Sequence, residues 1–407
     1  MSPRKEHRLR YFEQSSGQQH IAAEDKYLYQ QPPTQLNIAV IGTGTMGVEH
    51  IRIACLAGRA RIIGVYDPHS PSIEMARAEL TQLNAEPAKE YASLDEAVRD
   101  DKVDAYIICT PNYTHKQVVE QVLQAGKPIL LEKPMATTVD DASEIVRMAQ
   151  KHKSALQIGL QYRYKPIYQE SIQEALHRAT IGNVCTVNIS EHRPPFLDKV
   201  GQWNKFSQYS GGTLVEKCCH YFDLMNLFAG SNPKRVYASG GQAVNFSEFQ
   251  YKGQKSDIAD HAFVTVDYEN GATAGFNLNM FSPSFTEELT VVGDRGRITA
   301  SEKFDYLDNA KLEQYVDVQL GEHGASRLIE PRYPDFIAKS GHQGSSYFAH
   351  QQFLDEIAGI NSPVADVYDG FWSIVVGVAA ERSMSCAAPV EISALLDEYQ
   401  CKDLIVD

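Results

Sequence analysis

The stretch LNIAVIGTGTMG, residues 36–47, decides the fold. Its first six residues read as a buried strand, and Gly42-Thr43-Gly44-Thr45-Met46-Gly47 then turns into a segment with helical periodicity. At this spacing Gly42 permits the tight bend, Gly44 lets the backbone approach a pyrophosphate, and Gly47 lets helix and strand pack closely. The N–H groups at the helix start are free to receive the phosphates. A second apolar run, RIIGVYD, ends in Asp67, twenty positions after Gly47. A carboxylate there accepts hydrogen bonds from a ribose 2′-hydroxyl and repels a 2′-phosphate. The unit is therefore expected to bind a dinucleotide through Gly42, Thr43, Gly44, Thr45, Met46, Gly47 and Asp67, with NAD favoured over NADP.

The same alternation continues outward. After a helical pattern near 72–83 come the strand DAYIICT (104–110), a helix over 113–125 closed by Gly126, the strand PILLE (128–132), a helix over 138–151 and the strand ALQIG (155–159). Strands alternating with helices of about a dozen residues imply a doubly wound parallel sheet. Past residue 160 the texture changes to longer β-rich stretches at 183–191, 234–241, 261–280 and 287–300, with Asn270-Gly271 and the Gly293–Gly296 segment as hairpin turns. A second, α+β domain with a large, mainly antiparallel open sheet is expected, its last helix near 366–386. The boundaries are an extension or arm over 1–35, a dinucleotide-binding domain over 36–160 and a substrate-binding and oligomerisation domain over 161–407.

Composition narrows the function. The chain has 407 residues, 43% of them apolar, and a formal net charge of −14, which argues against nucleic acid or an anionic membrane as partner and for a small uncharged substrate. No run of about twenty apolar residues and no apolar segment behind the basic start MSPRKEHRLR are present, so the expectation is cytoplasmic. The seven cysteines form no CxxC pair and read as reduced core residues, Cys55, Cys109, Cys185 and Cys386 among them. The large sheet of the second domain is expected to offer one apolar face for self-association, since a sheet needs cover, as a homodimer or homotetramer.

Ligands of an open parallel sheet sit beyond the carboxyl ends of its strands. Thr110-Pro111-Asn112 and Glu132-Lys133-Pro134 occupy two such ends, which makes Lys133 a candidate for catalysis or substrate orientation. Further on, Gly211-Gly212 precedes the helix-like TLVEKCCHYFDLMNLFAG, closed by Gly230; Glu216, His220 and Asp223 share one face of it at helical spacing. The near-neutral pKa of a histidine suits general-base work. Cys218 and Cys219 lie beside His220, but vicinal cysteines on a helix point about 100° apart, so no metal is expected.

GTGTMG, TPNYTH and EKP, in this order and at these spacings, resemble the glucose–fructose oxidoreductase, inositol dehydrogenase and rhizopine catabolism (Gfo/Idh/MocA) family over roughly residues 36–390. The resemblance implies a Rossmann domain followed by a mainly antiparallel sheet domain, and a nicotinamide wall built from Thr110, Pro111, Asn112, His115, Glu132 and Lys133. It places Lys133 near the substrate hydroxyl and makes His220 the proton acceptor. The family's usual aspartate four residues before that histidine is Glu216 here, expected to hold neighbouring hydroxyls. Gln161 and Arg163 fall in the segment that the family places beside the nicotinamide, and Trp203 resembles its substrate-pocket tryptophan. Polar residues of 191–199, with Tyr347 and His350, are better placed at the surface.

The implied function is NAD-dependent oxidation of a secondary or anomeric hydroxyl of a sugar, inositol or related polyol. Two alternatives remain at this point. One is an NAD-retaining enzyme that cleaves glycosides or shuttles hydride between sugars without net redox; the other is a non-catalytic dinucleotide sensor.

Overall fold

A computed structural model describes residues 36–195, 198–304, 312–360 and 365–405. The expected extension 1–35 lies outside the described residues. Strands β1 (Leu36–Ile41), β2 (Ala60–Tyr66), β3 (Lys89–Glu90), β4 (Ala105–Ile108), β5 (Ile129–Glu132) and β6 (Leu156–Gly159) form one parallel sheet in the order β3-β2-β1-β4-β5-β6. The central strands are buried on both faces, which is why they read as continuous apolar runs. Alternate β1 residues feed two cores. Ala39 and Ile41 join the larger cluster; Ile38 and Val40 join a smaller one under helix Thr45–Ala57.

The strand order reverses between β1 and β4, which run parallel to each other, and this switch point opens the cleft described below.

The second domain adds β7 (Val184–His192), β8 (Pro233–Gly241), β9 (Gln250–Tyr251), β10 (Gln254–Lys255), β11 (His261–Tyr268), β12 (Thr273–Asn279), β13 (Phe285–Gly293), β14 (Arg297–Phe304), β15 (Glu313–Gln319), β16 (Arg327–Ile329) and β17 (Val390–Glu391). β9 and β10 pair only with each other; the rest form a nine-stranded sheet in the order β16-β15-β14-β13-β7-β12-β11-β8-β17. Its pairings are antiparallel except β7 with β12. The Gly293 N–H donates to the Gly296 carbonyl at 2.9 Å, closing the expected hairpin. β11 and β12 alternate buried and less buried residues, as a sheet with one face on the core requires.

The fold corrects several expectations. The final helix is Ile392–Glu398, beyond the expected last one at Val367–Cys386. The C-terminal part returns to the first sheet: Phe353 and Leu354 of helix Ser345–Ile357 complete the smaller core, and Arg59 pairs with Asp355 at 2.6 Å. His350, expected at the surface, is 1% exposed, and Glu191 is fully buried. All seven cysteines are free, but Cys185 and Cys386 are exposed rather than in the core. Among the described residues no helix is long and apolar enough to cross a membrane.

Candidate active site

The glycine turn is shaped by crowding at two of its three glycines. A Cβ on Gly42, whose φ is +90°, would lie 2.7 Å from the backbone of Cys109 and Thr110, and one on Gly47 would lie 2.1 Å from the Gly42 carbonyl oxygen. A Cβ on Gly44 would meet nothing within 4 Å, because this glycine faces the open cleft. Helix Thr45–Ala57 starts there with no side-chain cap, leaving its first N–H groups for a ligand. Asp67 stands at the rim, its carboxylate accepting from the N–H groups of Thr43 and His69, each at 2.8 Å.

The cleft has a volume of ≈ 930 Å³ and runs from Asp67 to His220, long and deep enough for a dinucleotide and a small substrate. Of the residues expected from sequence, Gly42, Gly44, Thr45, Met46 and Asp67 line one end. Thr110, Pro111, Asn112, Glu132 and Lys133 line the strand-end wall, and Trp203, Glu216 and His220 close it from the second domain. The cleft thus presents a glycine-turn cradle, free helix N–H groups and a carboxylate at the ribose position, which together fit NAD.

Five expected site residues do not line it. Thr43 is fully buried and bonds Asp67; Gly47 packs the helix on the turn. His115 is buried with its ring nitrogens 2.9 Å from the carbonyls of Pro134 and Thr110, so it ties the two strand-end loops together. Gln161 is 2% exposed, with both amide atoms lacking a hydrogen-bond partner among the described residues. Arg163 donates to both carboxylate oxygens of Asp223 at 2.7 and 2.5 Å and pairs with Asp369 at 2.8 Å, which commits its guanidinium to joining helices Cys219–Ala229 and Val367–Cys386. From the same segment it is Tyr162 and Lys165 that face the cleft. Residues Gln161–Tyr164 form a 3₁₀ turn, in which positions three apart point the same way.

The expected continuous helix is two: Thr213–Glu216 and Cys219–Ala229, with Lys217 and Cys218 between them. The break frees the Glu216 carbonyl, which accepts from Lys133 Nζ at 3.1 Å, while the Glu216 carboxylate lies 3.9 Å from the same nitrogen. Against the pull of burial, that carboxylate holds Lys133 above the ordinary lysine range. The Lys133 N–H donates to Glu132 at 3.1 Å, and Glu132 in turn lies 2.8 Å from His50, whose other nitrogen is 2.5 Å from His350.

His220 is 2% exposed and stacks on Tyr162. Its Nδ1 has no hydrogen-bond partner among the described residues. Burial, then the charges of Lys133 and Lys217, push its pKa well below the usual histidine value, so the ring is neutral at physiological pH. Asp223, on the same face in sequence terms, is turned to Arg163. Beneath the ring lies a charged layer that the sequence does not reveal. Lys217 pairs with Glu191 at 3.0 Å and donates to the Tyr162 hydroxyl at 2.8 Å; Lys165 pairs with Glu287 at 2.6 Å and Glu302 at 2.7 Å. No local periodicity marks these residues, because their partners sit on distant strands.

Residues 36–160 match the oxidoreductase family NAD-binding Rossmann fold, and residues 173–392 match the C-terminal alpha/beta domain of the same family. The chain belongs to the Gfo/Idh/MocA oxidoreductase family. It is 24% identical over 369 residues to the myo-inositol 2-dehydrogenase of Thermotoga maritima, covering 89% of this chain and all of that one. It is 29% identical over 248 residues to the inositol 2-dehydrogenase of Corynebacterium glutamicum strain R, 60% of this chain and 67% of that one. In fold it is similar to levoglucosan dehydrogenase in complex with NADH and levoglucosan, with a TM-score of 0.71, 18% identity and coverage of 88% of this chain and 99% of the other. As a Gfo/Idh/MocA protein the chain is an oxidoreductase whose first domain is the family's NAD-binding one.

Proposed function

We propose that this Gfo/Idh/MocA oxidoreductase oxidises a secondary or anomeric hydroxyl of a sugar, inositol or related polyol with NAD. The observation that carries the reading is Lys133, held on the Glu216 carbonyl with its charge maintained, in the same cleft as a buried, neutral His220. When bound, NAD supplies the acceptor for the hydride. His220 takes the hydroxyl proton, since a neutral imidazole in a dry site has a free nitrogen for it. Lys133 stabilises the developing alkoxide and orients the oxygen; a fixed and largely buried cation is worth more than one in solvent. Glu216 accepts from a neighbouring hydroxyl. Asp67 receives the ribose hydroxyls and selects NAD over NADP by charge. Relatives named as inositol dehydrogenases support the substrate class.

NADH formation at 340 nm across inositols, aldohexoses, pentoses and glycosides, with NAD and NADP in parallel, tests this in wild type and Lys133→Ala. Turnover with one polyol class and NAD, lost in the variant, is expected; tight NAD binding with no turnover of any of them overturns it. The domain division at residue 160 and self-association as a dimer or tetramer belong to the same proposal. The second sheet turns Tyr237 and Phe263, 45% and 62% exposed, outward, and light scattering returning the monomer mass at micromolar concentration overturns the association.

A further inference from the structure

Apart from Lys199, the charged groups of the substrate end each have a partner, Lys217 and Arg193 sharing Glu191. Glu216 faces Lys133 at 3.9 Å, Lys217 pairs with Glu191 at 3.0 Å, and Glu49 accepts from His342 and Ser346, each at 2.7 Å. Glu132 is taken by His50 and the Lys133 N–H. Asp198, the acid next in sequence to Lys199, is held by Lys205, whose ammonium also donates to Gln202 at 2.8 Å. Arg193 lies 3.4 Å from Glu191.

Lys199 is left over. It lines the cleft, half-buried, and no carboxylate among the described residues is within ion-pair distance of its ammonium. The groups that act on it electrostatically are Glu216, Lys133, Glu132 and Glu49, all lining the same cleft and all already partnered. Burial, opposed by Glu216 and reinforced by Lys133, draws Lys199 below the ordinary lysine range, as expected of a cation that lacks its counter-ion. Its backbone is fixed: the Gln202 N–H donates to the Lys199 carbonyl at 2.8 Å, at the start of the turn that carries Trp203. Trp203 meets Tyr113 edge-on at a centroid distance of 6.4 Å, and Tyr113 meets Tyr209 at 5.1 Å. The rings of Trp203 and Tyr113 thus line the same cleft as a lysine that has no carboxylate partner among the described residues.

We infer that Lys199 is a specificity-determining residue that takes an anionic group of the substrate, and that the preferred substrate is a sugar acid, a polyol carrying a carboxylate. The inference rests on the dehydrogenase reading above and refines it. A net-negative chain suggests an uncharged substrate, but the charge that a ligand meets is local, and here Lys199 has no carboxylate partner among the described residues. A carboxylate on Lys199 gives a charge-assisted hydrogen bond where a neutral hydroxyl gives an ordinary one.

The test compares D-glucuronate, D-galacturonate and D-gluconate with D-glucose, D-galactose and sorbitol. Wild type, Lys199→Gln and Lys199→Arg are assayed for turnover with NAD and, by calorimetry on the NADH complex, for binding at low and high salt. The expected result is that wild type prefers at least one acid over its neutral partner by about tenfold or more. That preference should be lost in Lys199→Gln, kept largely in Lys199→Arg and weakened by salt, with the Kd for NAD unchanged. Equal handling of acid and neutral partner by wild type overturns the inference, as does an equal loss on both in Lys199→Gln. A raised Kd for NAD in that variant assigns the cation to the cofactor pyrophosphate instead and also overturns it. Binding of a sugar acid that depends on Lys199, with no turnover of any polyol, removes the dehydrogenase reading and leaves this one standing; turnover of neutral polyols alone does the reverse.

Discussion

The rings of Tyr162 and His220 lie with centroids 3.9 Å apart and planes 5° from parallel. The Tyr162 hydroxyl is held by Lys217, and Lys165 stands 4.7 Å from the centre of its ring, so the stack that positions His220 is itself pinned between cations. The imidazole is buried and has positive charge near it. Both disfavour a second proton on it.

This sets a pH dependence. A base must be neutral to act, and His220 is depressed well below 6.5. The value of kcat/KM is therefore expected to stay level as pH falls from about 8 to about 6.5, with its acid limb lower still. A limb centred at or above 6.5 in a pH–rate profile contradicts the assignment. His220→Gln should abolish the limb and lower kcat by about 10²-fold or more.

Lys133→Met should reduce kcat by roughly 10²- to 10³-fold while the Kd for NAD changes by less than about threefold. Glu216→Gln should cost less, about tenfold, because the carbonyl that accepts from Lys133 survives the substitution. Steady-state kinetics beside a fluorescence titration with NAD separate the two. A larger loss in Glu216→Gln than in Lys133→Met reverses the proposed order of importance.

Asp67→Asn should weaken NAD binding by about tenfold and raise the NADP-to-NAD ratio of kcat/KM by a similar factor, since it removes the charge that repels a 2′-phosphate. An unchanged ratio in parallel assays would show that selectivity lies elsewhere in the rim.

Arg163→Met is expected to act on stability more than on catalysis. Removing Arg163 from its buried pair with Asp223, to which the half-buried Asp369 is added, leaves the Asp223 carboxylate uncompensated, a loss of about 3–5 kcal/mol. Denaturant midpoints should fall while KM for NAD moves by less than about threefold; a large rise in KM without loss of stability would restore the sequence expectation that Arg163 touches the cofactor.

Glu381 gives a second pH dependence. It accepts from the Leu214 N–H at 2.8 Å, and burial pushes its pKa up to about 7. A carboxyl whose folded pKa is raised binds its proton more tightly in the folded state. Its favourable contribution is present below the unfolded value near 4.5 and is lost as pH rises through 7. Glu381→Gln keeps the acceptor without the charge. The variant should match wild type near pH ~4 and exceed it near pH ~8 by roughly 1–3 kcal/mol, read as a difference in unfolding midpoint across that range.

Much of this molecule is legible in its sequence because the signals are local. The strand-turn-helix of residues 36–57 declares itself through apolar runs and glycine spacing, and the crowding at Gly42 and Gly47 shows why no other residue serves there. Lys133 and Asn112 are legible because strand ends of a parallel sheet converge on one edge. The segment 161–166 misleads for the opposite reason. Nothing in QYRYKP tells which side of a single 3₁₀ turn faces the cleft; that is settled by Asp223 and Asp369, which draw Arg163 away and leave Tyr162 and Lys165 inward.

The sequence alone determined the parallel sheet, the dinucleotide turn and the acidic rim residue, since each depends on periodicity or spacing within a few dozen residues; Lys133 it marked as a strand-end candidate, and His220 entered as proton acceptor through the family resemblance. Tertiary structure alone decided charge pairing: that Asp223 serves Arg163, that Lys217 serves Glu191 under the Tyr162–His220 stack, and that Lys199 is left without a carboxylate partner among the described residues. Ion pairs form between groups brought within about 4 Å regardless of their separation in the chain, so the surplus charge in a cleft belongs to the fold and not to any stretch of sequence.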